Sequence, residues 1–448
     1  MDELGKSTTT RSRSAPFGRR AAVAGMLGTM IEAYDFTVYA YLVIYTAPAF
    51  FPRDDPATSI LASLAVFAVG FISRPLGGIF FGRIGDRRGR RFTLLVTVTL
   101  MGIATFALGA IPDHATIGIW APVLLVTVRL AQGFSAGGEV IGSATYVVES
   151  STPGRRGLYS SATPLGAVFA VALAPIVVGL CTAIVGAQQM GEWGWRIPFL
   201  LAIPLTVICL VFRLRIQDSP EYLTLVRQHE VVKAPLREVL SYHWHSVIAV
   251  AVLAISIFFV SYTLTAYVPT FLSSTVGLPP GTVYWLTATA VVLAAPTVIL
   301  SGLAVDRFGR RKVLIASLVI CTVLIYPGMT VMTGAGSSTL GVGIAYWLLL
   351  CTAFAANPPA YQAFCDLFPA RIRYTGAAVG FNIGNVIGGG FGPYFSAQLI
   401  QWTRNPQSPA LLVAFAAFVG VGTILLTSRM AVAKRAGALP DVEVEPAI

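Results

Sequence analysis

The stretch Gly82-Arg-Ile-Gly-Asp86-Arg-Arg-Gly89-Arg90-Arg91 recurs later in the chain as Gly302-Leu-Ala-Val-Asp306-Arg-Phe-Gly309-Arg310-Arg311, with Gly, Asp, Arg, Gly, Arg and Arg in the same register. Each copy lies between two long apolar runs. A second phrase, Glu149-Ser-Ser-Thr-Pro153-Gly-Arg155-Arg156-Gly157, is echoed at nearly the same offset by Asp366-Leu-Phe-Pro369-Ala-Arg371-Ile-Arg373-Tyr-Thr-Gly376. The chain therefore reads as two related halves in tandem. Gly85, Gly89 and Gly309 admit a tight turn between two spans. Asp86 and Asp306 precede the next helix, whose N-terminal dipole favours a carboxylate. The arginines hold the loop at an anionic membrane surface.

Outward from these loops the chain is apolar. Hydrophobic residues make up 55% and charged residues 11%, against about 25% charged in a soluble domain, and the mean hydropathy is +0.74. Twelve runs are long enough to cross a bilayer: 21–45, 58–82, 92–112, 118–148, 157–186, 194–214, 246–271, 282–303, 312–333, 340–365, 375–400 and 409–429. Run 118–148 is longer than a simple span and is expected to protrude or tilt. The fold expected is an all-α membrane protein, twelve transmembrane helices in two pseudo-symmetric six-helix bundles. Residues 1–20 form a tail, 21–215 the first bundle, 216–245 a linker, 246–430 the second bundle and 431–448 a second tail.

The net charge of +11 does not point to nucleic acid, because of where it lies. With the N-terminus inside, all 31 Lys and Arg fall on the inner side except Arg53, Arg74, Arg129, Arg196 and Arg404. Arg213, Arg215, Arg227, Lys233 and Arg237 are counted in the middle inner segment. This bias places both termini in the cytoplasm of a multi-pass inner-membrane protein. The polar N-terminal stretch has no short cleavable apolar region, so no signal peptide is expected. The five Cys show no CxxC spacing, and His243-Trp-His245 reads as a solvated loop, so neither a metal nor a disulfide is expected.

Five charged residues fall well inside predicted spans: Glu32, Asp35, Arg74, Arg129 and Glu139. Each costs about 2.5–3.5 kcal/mol or more at the bilayer centre, and helical rise places all five within about 10 Å of the midplane. Burial raises a carboxylate pKa and a nearby arginine lowers it. A carboxylate that exchanges an arginine for a proton therefore titrates usefully, and Asp35 with Arg129 is the best candidate, a static packing pair being the alternative. Glu139 reads either as a coupling or gating group or as structural. Glu32 either shares the proton or pairs with Arg74, and Arg74 is either half of a fixed pair or a substrate contact. The second half has no deep carboxylate and offers Tyr262, Tyr267, Asn357, Tyr361, Gln362, Asn382 and Asn385 instead. These would bind the neutral parts of a substrate, or simply pack.

The repeated loop resembles the signature of the major facilitator superfamily. Glu32-Ala-Tyr34-Asp35-Phe36, Arg74-Pro75-Leu76-Gly77-Gly78, Arg129-Leu-Ala-Gln132-Gly133, Gly194-Trp195-Arg196 and Leu367-Phe368-Pro369-Ala-Arg371-Ile-Arg373 resemble the metabolite:proton symporter family within it. Asp366, and Gln217-Asp218-Ser219-Pro220-Glu221, depart slightly from that family's pattern. The resemblance implies a carrier, not an enzyme. It would import a small carboxylate-bearing metabolite, organic acid or zwitterion, with protons by rocking its two halves. Asp35, Glu32 and Glu139 would couple protons. Arg129, Arg74, Tyr34, Tyr267, Asn357, Tyr361, Gln362, Asn382 and Asn385 would meet the substrate. The inner gate would comprise Gly82, Asp86, Arg87, Gly89, Arg90, Arg91, Glu149, Arg155, Arg156, Asp306, Arg310, Arg311, Asp366, Arg371 and Arg373. The proton gradient replaces any cofactor; the partners are substrate, protons and lipid, and a monomer is expected. The rival readings are a proton-coupled exporter on the same fold and a non-transporting membrane receptor.

Overall fold

The computed structural model describes residues 15–51, 66, 69–152, 154–334 and 338–435. Lys6, Arg11, Arg13, Arg53, Pro153, residues 58–65 of the second apolar run and the tail beyond 435 lie outside the described residues. Every regular element among the described residues is helical. The principal helices are α1 (Ala15–Phe50), α2 (Arg74–Arg88), α3 (Arg90–Ala110), α4 (Trp120–Ser150), α5 (Arg156–Val185) and α6 (Gly194–Leu214). They continue as α7 (Trp244–Ser274), α8 (Gly281–Phe308), α9 (Arg310–Thr333), α10 (Thr339–Asp366), α11 (373–403) and α12 (Ser408–Arg435). The linker holds two short helices, Pro220–Arg227 and Pro235–Tyr242. Each begins with proline, which lacks the amide a first turn leaves unpaired anyway, and Ser219 caps the first by accepting from the Tyr222 amide.

Among the described residues, eight helices (α3, α5, α6, α7, α8, α9, α10 and α12) are long and apolar enough to cross a membrane by length and composition alone. The other four carry the five charges singled out above and two of the amides: Glu32 and Asp35 on α1, Arg74 on α2, Arg129 and Glu139 on α4, Asn382 and Asn385 on α11. Such groups are tolerated in a membrane only when turned into the protein, and all of them are buried. On α4 every residue from Ser135 to Ser150 is buried. Outward faces are apolar: Ile184, Trp285, Phe415 and Phe418 are more than 60% exposed, as lipid-facing side chains should be and those of a soluble protein are not.

The duplication is visible in the packing. Helix α1 packs on α4 and α5 as α7 packs on α10 and α11; α2 packs on α4 as α8 does on α10; α3 packs on α4 and α6 as α9 does on α10 and α12. Between the halves α2 meets α11 and α5 meets α8, again a symmetric pair of contacts. Helices α7 and α11 each carry a π-helical segment, Thr263–Tyr267 and Asn385–Gly390. Such insertions widen a helix and favour functional positions.

The repeated loops fold as turns in which Gly89 (φ 99°) and Gly309 (φ 85°) occupy a backbone region closed to most L residues. Two expectations are corrected here. Gly85 lies inside α2, not in the turn, and its missing side chain makes room for the Tyr374 ring. Asp86 and Asp306 turn their carboxylates to the amides of other helices, although Asp86 also pairs with Arg90 Nη1 (3.1 Å) at the start of the helix that follows it. Asp86 accepts from the amides of Tyr374 (3.3 Å) and Thr375 (2.9 Å) at the start of α11, and Asp306 from those of Gly157 (2.6 Å) and Leu158 (2.9 Å) at the start of α5. The attraction of a carboxylate to a helix N-terminus operates as expected, but across the boundary between the halves.

Candidate functional site

Helix α1 brings two carboxylates into the interior of the first half. Asp35 is fully enclosed. Its Oδ1 accepts from Thr105 Oγ1 on α3 (2.9 Å) and from Gln132 Nε2 on α4 (2.7 Å), and its Oδ2 from Arg129 Nη1 (3.2 Å). The Arg129 guanidinium also lies 3.7 Å from the centroid of the Tyr39 ring. Three donors from two helices make a strong site for an ionised carboxylate, and a proton arriving on Asp35 would remove the charge that holds all three.

One turn away on the same helix, Glu32 faces Arg74 Nη1 at 3.3 Å, both side chains being 4% exposed. The Arg74 guanidinium lies over both the Phe36 ring (4.3 Å) and the Phe71 ring (4.5 Å), which meet edge to face. Both clusters leave buried polar atoms without a hydrogen-bond partner among the described residues, Glu32 Oε2 and Arg74 Nε here, and Arg129 Nε and Nη2 and Gln132 Oε1 in the first. Tyr262 on α7 and Tyr361 on α10 lie within electrostatic reach of both charges, so the Glu32–Arg74 pair borders the second half whereas Asp35–Arg129 is internal to the first.

Glu139 has a partner that the sequence reading assigned elsewhere. Arg213, counted among the basic residues of the middle inner segment, is fully buried at the end of α6. It pairs with Glu139 through both terminal nitrogens and donates to Leu94 O at 2.6 Å. Thr97 (2.6 Å) and Ser143 (3.0 Å) complete the Glu139 shell. The only sequence signal was its place one residue from the end of an apolar run, where an inner-surface arginine is the common reading.

The remaining candidates sort by position. Tyr34 donates to Pro198 O at 3.0 Å within the first half, Tyr267 packs beside Phe271, and Asn357 donates to its own helix at Ala353 O. Gln362 and Asn382 bridge the halves, to Ser160 Oγ (3.2 Å) and Gly137 O (2.8 Å). Asn385 is buried with its Oδ1 unpartnered among the described residues, and Tyr361 packs on Phe381 at 5.9 Å.

The face that carries the repeated loops is closed. Arg90 grips Glu149 with Nε and Nη2, each at 3.0 Å, and donates across the boundary to Ala370 O (3.0 Å). Arg373 of the second half reaches Glu149 Oε1 (3.2 Å) and pairs with Glu221 of the linker, which also takes Arg156 (3.1 Å). Arg371 pairs with Glu238 of the second linker helix (2.8 Å), and Arg310 with Asp366. Gly82 lets Thr375 approach α2, and Arg91 donates to Leu214 O (2.8 Å). Arg87, Arg155 and Arg311 are exposed. The sequence grouped Glu149 with Arg155 and Arg156; the structure pairs it with Arg90 and Arg373. The linker carboxylates Asp218, Glu221 and Glu238 were missed as members of the network. Asp218 holds the backbone amides of Arg90 (2.8 Å) and Arg91 (3.3 Å).

Two six-helix halves, latched together at one face by paired charges and lined inside by buried ion pairs, define a carrier. The chain belongs to the major facilitator superfamily, in its metabolite:proton symporter family. Residues 21–241 match the model "Sugar (and other) transporter" and residues 250–445 the model "Major Facilitator Superfamily". The chain is 34% identical to the proline/betaine transporter of Salmonella typhimurium, over 94% of this chain and 86% of that one. It is 32% identical to the citrate-proton symporter of Klebsiella pneumoniae, over 91% of each. Its fold is similar to that of the proton:xylose symporter XylE of E. coli, with TM-score 0.75 and 17% identity over 93% of this chain and 96% of that one. It is a multi-pass membrane transporter and not an enzyme.

Proposed function

We propose that the chain imports a small carboxylate-bearing solute together with protons by alternating access. It would lie in the inner membrane with both termini cytoplasmic. The carrying observation is the Asp35–Arg129 pair, sealed from solvent and held by Thr105 and Gln132. A proton entering from outside neutralises Asp35 and loosens this cluster, which ties α1 to α3 and α4. The solute meanwhile binds at Arg74, the arginine that borders the second half. Rearrangement of α1 then releases the closed face, where Asp86, Asp306, Glu149 and Arg373 bind the halves together. Solute and proton leave inside, and Asp35 re-pairs with Arg129. Glu139, saturated by Arg213, Thr97 and Ser143, is better suited to holding α4 against α3 and α6 than to exchanging protons.

A single chain supplies both halves, so the cycle works as a monomer, and the proton gradient serves in place of a cofactor. The test is proton movement into proteoliposomes loaded with a pH dye, with carboxylate-bearing solutes added outside one at a time. Inward flow with one of them, lost in Asp35→Asn, is the expected result. Flow that persists undiminished in Asp35→Asn would remove Asp35 from the coupling step, and outward flow would make the protein an exporter.

A further inference from the structure

The two repeated turns fold alike but are covered differently. Gly89 is buried under the linker that follows α6. There Asp218 takes the amides of Arg90 (2.8 Å) and Arg91 (3.3 Å). Tyr222 donates to Arg87 O (3.0 Å), and its ring lies 5.3 Å from the Arg90 guanidinium. The matching turn between α8 and α9 has no such cover among the described residues. Gly309 is exposed, with open space where a side chain on it would begin, and Phe308 beside it is 56% exposed. Arg310 is paired with Asp366, whereas Arg307, Arg311 and Lys312, all exposed, have no ion-pair partner among the described residues.

The internal symmetry says which segment would cover it. Helix α9 packs on α12 as α3 packs on α6, so the counterpart of the linker is the chain beyond α12. That stretch contains Pro440-Asp441-Val442-Glu443-Val444-Glu445. Alternate residues of an extended strand share one face. Asp441, Glu443 and Glu445 would then stand together, one carboxylate for each unpaired cation, with Val442 and Val444 on the other side. Reach allows the contact. Helix α12 runs on from its apolar span, Ser408–Thr427, to Arg435, a further stretch of about 12 Å. The residues from 436 to 441 extend about 20 Å, enough to return to the start of α9.

We propose that the acidic segment 441–445 docks on the turn between α8 and α9, its carboxylates against Arg307, Arg311 and Lys312, as the linker docks on the turn between α2 and α3. It covers Gly309 and Phe308 and steadies the end of α8, where Asp306 holds the first amides of α5. Docking therefore favours the closed face. The inference goes beyond the transport cycle and rests on neither the proton nor the solute assignment.

The test is the distance between spin labels on Val444→Cys and Ala316→Cys, the latter exposed near the start of α9, in the full chain in vesicles of phosphatidylethanolamine and phosphatidylglycerol. A single narrow distance is expected. Combining Asp441→Asn, Glu443→Gln and Glu445→Gln should broaden it, and so should Arg311→Gln with Lys312→Gln. The triple tail variant should also lower the closed-to-open ratio, read from labels at the inner ends of α5 and α8, about threefold, the worth of a few exposed ion pairs. A broad distribution in the otherwise unaltered chain, or a narrow one that the triple variant leaves unchanged, would overturn the docking. A distance that is narrow in phosphatidylcholine alone and broad once phosphatidylglycerol is added would give the turn to lipid headgroups and overturn it too. The same distance between two singly labelled chains would give it to a second copy, with the same consequence. Docking with an unchanged closed-to-open ratio would overturn the effect on closure.

Discussion

Arg213 makes the clearest residue-scale prediction. Removing one member of a buried ion pair leaves its partner charged and uncompensated, at a cost of about 3–5 kcal/mol. Arg213→Ala should therefore lower the thermal midpoint of the purified protein sharply. Replacing both Arg213 and Glu139 with methionine should restore much of it, since the unpaired charge is then gone. A double variant no more stable than Arg213→Ala would contradict the pairing. The same residues mark how far the sequence could be read. Glu32, Asp35, Arg74, Arg129 and Glu139 stood out because a charge within an apolar run has no cheap explanation. Arg213 did not, because an arginine just inside the end of a run is ordinary at a membrane surface, and only the fold brings Glu139 to it. Thr97, Thr105 and Ser143 carry no charge and look like any small residue on a helix, so nothing in the sequence separates those that solvate a carboxylate from those that bond to their own backbone.

At the scale of elements, the closed face depends on two carboxylates that serve helices of the opposite half. Burial lifts the Asp86 carboxyl, beyond the end of the membrane-spanning run, to about 6, partly offset by the Arg90 guanidinium and the Thr375 bonds. Opening this face would return Asp86 to water and to an ordinary carboxylate value near about 4. The closed form then binds the proton more tightly, so acidification stabilises closure as pH falls through about 6. Between pH 7 and 5 the closed-to-open ratio should rise about tenfold. Distances between spin labels on α2 and α11 would report it, and Asp86→Asn should flatten the dependence. A ratio that falls on acidification would contradict the account. Gly85→Leu, which would collide with Tyr374, should shift the same distances toward the open form. The sequence made the turns legible through Gly89 and Gly309, and the attraction of Asp86 and Asp306 to a helix N-terminus as well. It misassigned the helix, because a dipole argument is local whereas α11 and α5 are brought alongside only by the pseudo-symmetric assembly. The partners of Glu149 escaped for the same reason, since neighbours in sequence were preferred to Arg90 and Arg373.

At the scale of the whole molecule, the twelve runs and the repeated phrases carried the architecture. Long apolar stretches have few folds open to them, and a duplicated loop implies a duplicated packing pattern, which α1–α6 and α7–α12 display. The asymmetry between the halves was also legible: charges in the first, amides and aromatics in the second. The role of those amides was not, because Gln362 and Asn382 turn out to bridge the two halves. If they serve mainly to latch the closed face, Asn382→Ala should favour the open form and raise the rate of solute exchange while leaving equilibrium affinity within about twofold, as expected when a distant site shifts a population without touching the ligand. The central claim is that Asp35 couples solute movement to the proton gradient through one alternating cycle. The most direct measurement compares, in proteoliposomes, gradient-driven accumulation with solute-for-solute exchange for Asp35→Asn. The account predicts that accumulation is lost while exchange, which needs rocking but no net proton transfer, continues. Accumulation at the wild-type level, or loss of exchange together with loss of solute binding, would contradict it.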